Sequence, residues 1–308
     1  MVSYADSTNF HDLKFVNEGA KGILDAVISW DPQTNDFSEI KWRTTFLPDD
    51  ILNFNLQPSF FTVNGVQWEI ANQSDILLST TELNVSNFEL NRGYQLIKIN
   101  GCLSDNERDQ LRFDVMGLDL NELSNLLDFP NQLSGRFSGW GVLSTPNNNV
   151  NILADANLEQ FEIDGQMVGD IMLHSDWSDA RKSILLEGTL QYRNERTFDF
   201  DGLYNIKTDE LDLGLNFKQT DISFANAFMD PEVIKGIKGK LNGRLRVKGS
   251  PTDPKLTGKL KLQNGGAEVA LLGVSYQLEG MIQVSEDAFF LDNLPIKDPE
   301  GNIAYLSS

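Results

Sequence analysis

The residues of this chain with the most obvious chemistry are two histidines and one cysteine, and their placing argues against a reactive centre. His11 and His174 stand far apart, without a neighbouring cysteine or a repeated metal-ligand spacing, so each reads as a solvated or structural histidine rather than a ligand. Cys102 is the single cysteine, which excludes an internal disulfide and a thiolate metal cluster. No G-x-S-x-G elbow, G-x-x-x-x-G-K-[ST] phosphate loop or H-E-x-x-H pair occurs. Gly139-Trp140-Gly141 is part of a glycine motif inside an alternating pattern, and Trp140 packing over bare backbone is a better reading than a nucleotide site. Asp176 and Asp179, near Asp170, have the chemistry of a weak calcium site, but a polar loop is the expectation. Paired carboxylates for acid-base work stay open, because acids are abundant and their pairing in space is invisible. The expectation is therefore a non-enzymatic protein with no cofactor and no metal.

The formal net charge of -20, from 45 acidic and 25 basic residues, repels polyanions, so no nucleic-acid partner is expected. Nine basic residues nevertheless gather between Lys235 and Lys261 against one acid, Asp253. They are either solvent-facing charges that keep strand edges apart or a docking patch for an acidic partner. No stretch approaches the run of about 18 apolar residues that a membrane-spanning helix needs. The start, MVSYADSTNF, lacks a basic and then apolar leader, and YLSS ends in mid-pattern. Both features read as a fragment of a longer chain.

The elements that carry these residues are strands. Leu241, Leu245 and Val247 alternate with Lys240, Arg244, Arg246 and Lys248, and Leu260 and Leu262 alternate with Lys259 and Lys261. This is the period of two of half-buried strands, apolar on one face and charged on the other. Gly249-Ser-Pro-Thr-Asp-Pro254 between them predicts a turn. Leu211, Leu213, Leu215 and Phe217 alternate most cleanly; Leu111, Phe113 and Val115 do so before residue 119, and Phe198 and Phe200 within the strand predicted over 198–204.

Repetition organises the whole. Gly65, Gly169 and Gly273 each precede a predicted strand and stand 104 residues apart, as do Gly135 and Gly239 in their Gly-x-x-x-Gly runs. Segments with helical spacing, each led by an Asp able to cap a first turn, begin at Asp6, Asp119 and Asp221 and predict helices over 6–15, 119–128 and 221–230. The reading is one continuous body of three copies over 6–118, 119–220 and 221–308, all-β apart from these helices. It has on the order of twenty strands, about twice what a twisted open sheet carries without curling. Strands are expected over 51–61 without a break, and over 150–158 and 161–163 separately. The apolar face must be covered by a second sheet, by folding the sheet lengthwise, or by something that is not protein. Alternation alone is equally that of a sandwich core.

The run Leu245-Arg-Val-Lys-Gly-Ser-Pro-Thr-Asp-Pro-Lys-Leu-Thr-Gly-Lys-Leu-Lys-Leu-Gln-Asn-Gly265, then Leu272-Gly-Val-Ser-Tyr276 and Asp298-Pro-Glu-Gly-Asn-Ile-Ala304, resembles the TamB C-terminal domain family of AsmA-like, bridge-like envelope proteins. Gly117-Leu-Asp-Leu, Leu133-Ser-Gly135, Val168-Gly-Asp-Ile171 and Trp177 are similar to the same region, and the likeness spans residues 63–306. The resemblance implies an elongated many-stranded sheet folded lengthwise into an open trough, a β-taco, with an apolar lumen. It implies a full-length protein in the periplasm of a diderm bacterium, anchored in the inner membrane. The function it implies is carriage of phospholipids between inner and outer membranes; the alternative is a chaperone-like translocation and assembly module for outer-membrane β-barrel proteins. Phospholipid acyl chains are the expected ligand, lined by Leu111, Phe113, Val115, Phe198, Phe200, Leu211, Leu213, Leu215, Phe217, Leu241, Leu245, Val247, Leu260 and Leu262. A BamA-like barrel partner would dock through regions outside this chain. On that reading an Arg at Leu213 or Leu245 would reach the open mouth and leave the fold standing.

Overall fold

A computed structural model describes residues 12–31, 33, 35–63, 65–122, 132–146, 150–192, 195–286, 288–291 and 293–307. The chain is all-β. Its strands are β1 (Lys14–Ala20), β2 (Ile23–Trp30), β3 (Ser38–Leu47), β4 (Ile51–Leu56), β5 (Ser59–Val63), β6 (Val66–Ile70), β7 (Ser74–Leu78), β8 (Leu83–Arg92), β9 (Gln95–Leu103), β10 (Leu111–Asp119), β11 (Leu133–Ser144), β12 (Asn151–Ile163), β13 (Gln166–Ser178), β14 (Ser183–Tyr192) and β15 (Glu195–Asn205). They continue through β16 (Glu210–Asp221), β17 (Ile234–Ser250), β18 (Asp253–Val269), β19 (Val274–Ser285), β20 (Ala288–Leu291), β21 (Leu294–Lys297) and β22 (Ile303–Leu306). These 22 strands belong to one antiparallel sheet. Two compact units divide the chain: residues 1–130 with 137–154, and residues 131–136 with 155–308.

In the first unit β1, β2 and β3 pair in sequence, and β8, β9 and β10 do the same. Two short pairs fill the space between β3 and β8: β4 with β7 at one end, β5 with β6 at the other. The strand expected over 51–61 is therefore broken. Pro58 has no N–H for the ladder, and the chain resumes as β5 on another part of β3. Buried hydroxyls replace the interrupted backbone bonds. Ser59 Oγ accepts from Lys41 N at 3.0 Å and donates to the Gln57 carbonyl at 2.7 Å; Ser38 Oγ accepts from Thr62 N at 2.8 Å.

In the second unit β13 to β19 form an uninterrupted meander, with β20 and β21 on β19 and β22 on β21. Bulges recur along it, and several places in the sheet hold a polar residue at positive φ. Gln219 (φ 53°) lies where β16 slips between Phe217 and Thr220, and its N–H is taken by Asn242 Oδ1 at 3.0 Å. Gln160 (φ 51°) donates its N–H to Asp170 Oδ1 at 2.7 Å, and Asn87 (φ 57°) in the first unit donates to Asn100 Oδ1 at 2.7 Å. A side chain on the next strand thus satisfies the amide at each of these places, and bulges increase local twist.

The glycine repeat has a structural meaning here. Gly135 (φ 133°) and Gly239 (φ 131°) lie beside Gln160 and Asn264 (φ 51° and 49°), which are also 104 residues apart. A Cβ on Gly135 would come 2.9 Å from the Glu159 carbonyl oxygen, and one on Gly239 2.7 Å from Gly265 Cα. Close backbone approach fixes glycine at both places.

Several expectations are corrected. Gly65 and Gly273 precede β6 and β19, but Gly169 lies inside β13, because Asp164 and Gly165 (φ 51° and 73°) already make that turn. β12 runs unbroken from Asn151 to Ile163, with Gln160 at φ 51° inside it and its N–H taken by Asp170 Oδ1. Of the helix over 6–15, residues 6–11 lie outside the described residues, and Lys14 and Phe15 are already in β1, paired with Ser29 and Ile28. Residues 120–122 are helical, with Asn121 N donating to the Asp119 carboxylate at 2.9 Å; 123–128 lie outside the described residues. The third helix is a 3-10 helix, Ile222–Phe228, capped by Asp221 through Ser223 N at 2.9 Å.

Candidate functional site

Register places the apolar side chains of the second unit on a common face. Phe198 and Phe200 pair with Phe217 and Leu215. Leu213 and Leu215 pair with Val247 and Leu245, Leu211 with Gly249, and Leu241 with Leu262. Leu260 then pairs with Ile282. Because antiparallel partners point to the same side, the apolar set of five successive strands shares one face. On β14 and β13 that face continues with Ile184, Leu186 and Leu190, then Trp177, Leu173 and Ile171.

Its packing is lateral. Phe217, Leu245, Leu260 and Val284 form a buried cluster, with Phe198, Leu215, Leu241, Leu256 and Ile282 packed against it. Large residues stand opposite glycines: Phe217 and Leu260 face Gly243, Leu245 faces Gly258, and the Phe200 ring lies over Gly188. The missing side chains leave room for the neighbours to lean across the strands, which covers part of the apolar surface within the sheet itself.

In the first unit Leu111, Phe113 and Val115 pair with Gly101, Ile99 and Ile97, and Ile97 and Ile99 pair in turn with Leu90 and Phe88. The Phe113 ring lies where a side chain on Gly141 would be. The Arg112 guanidinium lies over the Trp140 ring, 5.0 Å from its centroid. Of the fourteen side chains named from sequence, Phe217, Leu245, Leu260 and Leu262 are buried and the other ten half-buried. The two units each hold part of the set; the resemblance named no others, yet Trp177, Leu186, Leu256, Ile282 and Val284 lie on the same face as the second group. Period-two spacing would have found Ile282 and Val284.

The two ends of the second unit's strands differ. At one end the turns are polar: residues 179–182, 206–209 and 251–252. At the other the 3-10 helix contacts both β17 and β13, on the far side of β14, β15 and β16. Asn226 ties it down, its amide donating to the Ile237 carbonyl at 3.0 Å and accepting from Ile237 N at 2.9 Å. Beside it lies a cavity of about 820 Å³ lined by Ile163, Met229, Pro231 and Ile234 with Asp164, Asp230 and Lys235.

The opposite face is ionic. The Arg246 guanidinium forks onto Asp212 with two bonds of 2.6 Å, which holds the Asp212 carboxyl below the usual range and raises the guanidinium pKa. Arg43 and Asp25 make the same fork in the first unit at 2.7 and 3.0 Å. His174 Nδ1 lies 2.7 Å from Asp155 Oδ1, and His11 lies outside the described residues. Asp170, Asp176 and Asp179 are engaged separately, by Gln160 N, Trp177 N and Trp177 Nε1. Among the described residues no group of three or more His, Cys, Asp or Glu side chains could hold a metal ion. Burial, helped by the hydrogen bond to Glu82 Oε1 at 3.3 Å, pushes the Cys102 thiol up to about 12, so it is a poor nucleophile at neutral pH. What the arrangement offers is apolar surface rather than reactive groups. No family model, curated protein or solved structure matches this chain.

Proposed function

We propose that this chain is a non-enzymatic lipid conduit whose apolar face holds phospholipid acyl chains and passes them along the strands. The observation that carries the reading is the apolar face of β13 to β19, continuous by register, with most of its side chains half-buried. A chain of about sixteen carbons loses on the order of 12 kcal/mol on leaving an apolar phase for water, at about 0.8 kcal/mol per CH₂. A continuous apolar track removes most of that penalty without chemistry. The lengthwise-folded trough, the periplasmic setting in a diderm bacterium, the inner-membrane anchor and a BamA-like barrel partner belong to the same proposal through the resemblance to TamB C-terminal domains.

Native mass spectrometry of protein made in a bacterial host tests the reading. It predicts adducts of phospholipid mass that disappear on delipidation and return with added phospholipid. A lipid-free protein that instead captures unfolded β-barrel strands would replace the conduit with the assembly-module reading.

A further inference from the structure

The charged face of the second unit holds a concavity that the conduit reading leaves unused. It measures about 560 Å³ and is lined by Arg181, Arg244 and Arg246, by the carboxylates of Asp201 and Asp212, and by Gly202, Gly214 and Gly258. Gly202 and Gly214 do not have positive φ, so turn geometry does not require glycine there. A side chain on Gly214 would occupy the place of the Arg244 guanidinium, and one on Gly202 would strike the Asp212 carbonyl. Gly214 lies on the charged face, and its smallness leaves the Arg244 guanidinium its place there; Gly202, the partner of Leu213, contributes only backbone to this side.

The cations around it exceed what the fold needs. Arg246 is matched by Asp212, which also has Lys248 at 3.6 Å. The carboxylate of Asp201 is 3.8 Å from Arg244 and already accepts from Asn216 at 3.1 Å. Across the β17–β18 ladder Arg244 stands directly opposite Lys259, and Lys248 opposite Lys255. Like charges directly opposed destabilise a sheet, and here they persist in a protein of net charge -20.

We propose that this hollow is a binding site for a phosphoryl oxyanion, held by the forks of Arg181 and Arg244 with Lys259 beside them. Guanidinium donors match phosphoryl oxygens two at a time, and a bound anion turns the Arg244–Lys259 repulsion into shared attraction. The site does not depend on the conduit reading, since it lies on the other face.

Calorimetric titration of the intact chain with pyrophosphate at low ionic strength tests it. Saturable binding at one site per chain is expected, weakened about tenfold or more by Arg181→Gln and by Arg244→Gln and unchanged by Arg136→Gln, whose partner is Glu159. Sedimentation with vesicles of phosphatidylcholine, with and without phosphatidylglycerol, identifies the source of the phosphoryl group. Capture by the anionic vesicles alone, competed by pyrophosphate, makes it a lipid headgroup; pyrophosphate binding without vesicle capture makes it a soluble phosphate. No saturable binding, equal weakening by Arg136→Gln, or preference for polyglutamate over pyrophosphate overturns the proposal.

Discussion

Leu245 and Gly258 are ladder partners on β17 and β18, and the glycine is held at φ 147° with its missing side chain aimed at the Arg244 carbonyl and the Leu245 side chain. Gly258→Ala therefore faces both backbone strain and collision with main-chain atoms. It should destabilise the second unit by about 3 kcal/mol. Gly273, at φ 60° in the β18–β19 turn, has open space around it, so Gly273→Ala should cost only about 1 kcal/mol. Urea denaturation followed by circular dichroism compares the two.

The substitutions that test the apolar face need a distinction that period-two spacing does not reveal. Leu213 is half-buried, whereas Leu245 is only 7% exposed and belongs to the buried cluster with Phe217, Leu260 and Val284. The expectation that Arg is tolerated at both positions is corrected for Leu245. Leu245→Arg buries an unpaired charge, at about 3–5 kcal/mol, a large part of the 5–15 kcal/mol that holds a domain folded. Leu213→Arg should keep its circular dichroism spectrum and lose bound lipid. Loss of structure in Leu213→Arg would mean a closed core at that position too.

What was legible in the sequence follows from which physical signals are periodic. Leu211, Leu213, Leu215 and Phe217 announce their common face because alternation is a property of one strand. The bulges are not legible. Asn87, Gln219 and Asn264 are polar residues among many, and only the facing strand shows that they have slipped out of the ladder. The break at Pro58 was hidden for a related reason: β4 and β5 both join β3, a choice made by partners distant in sequence. Charge partners across strands, such as Asp212 and Arg246, were equally invisible.

That ion pair sets a pH dependence. The hydrogen bonds from Arg246 hold the Asp212 carboxyl below its ordinary 3.8, so the folded state binds the proton less readily than the unfolded one. The stabilisation is complete above the unfolded value and disappears as pH falls through the lower folded value. Since the pair is well exposed, the effect is under about 1 kcal/mol. Asp212→Asn should be the less stable protein at pH 6, and the gap should close toward pH 2. Thermal melts between those limits measure it; a constant gap would mean that the fork contributes through packing alone.

Cys102 offers a test of local closure. With the thiol pushed up to about 12 from an ordinary 9.0, its thiolate fraction at pH 8 falls by roughly a thousandfold. Labelling by a thiol-specific disulfide reagent should be much slower in the folded chain than in urea. Equal rates would place Cys102 in open solvent.

The central claim is that one face of the sheet meets acyl chains and the other does not. Site-specific photo-cross-linking in cells reads this directly, with a photoreactive amino acid placed in turn at Leu213, Val247 and Lys259. The first two share the apolar face by register, and Lys259 lies exposed on the other. The account predicts cross-links to phospholipid acyl chains from positions 213 and 247 and none to acyl chains from 259; acyl-chain adducts equal at all three, or absent from 213 and 247, would contradict it.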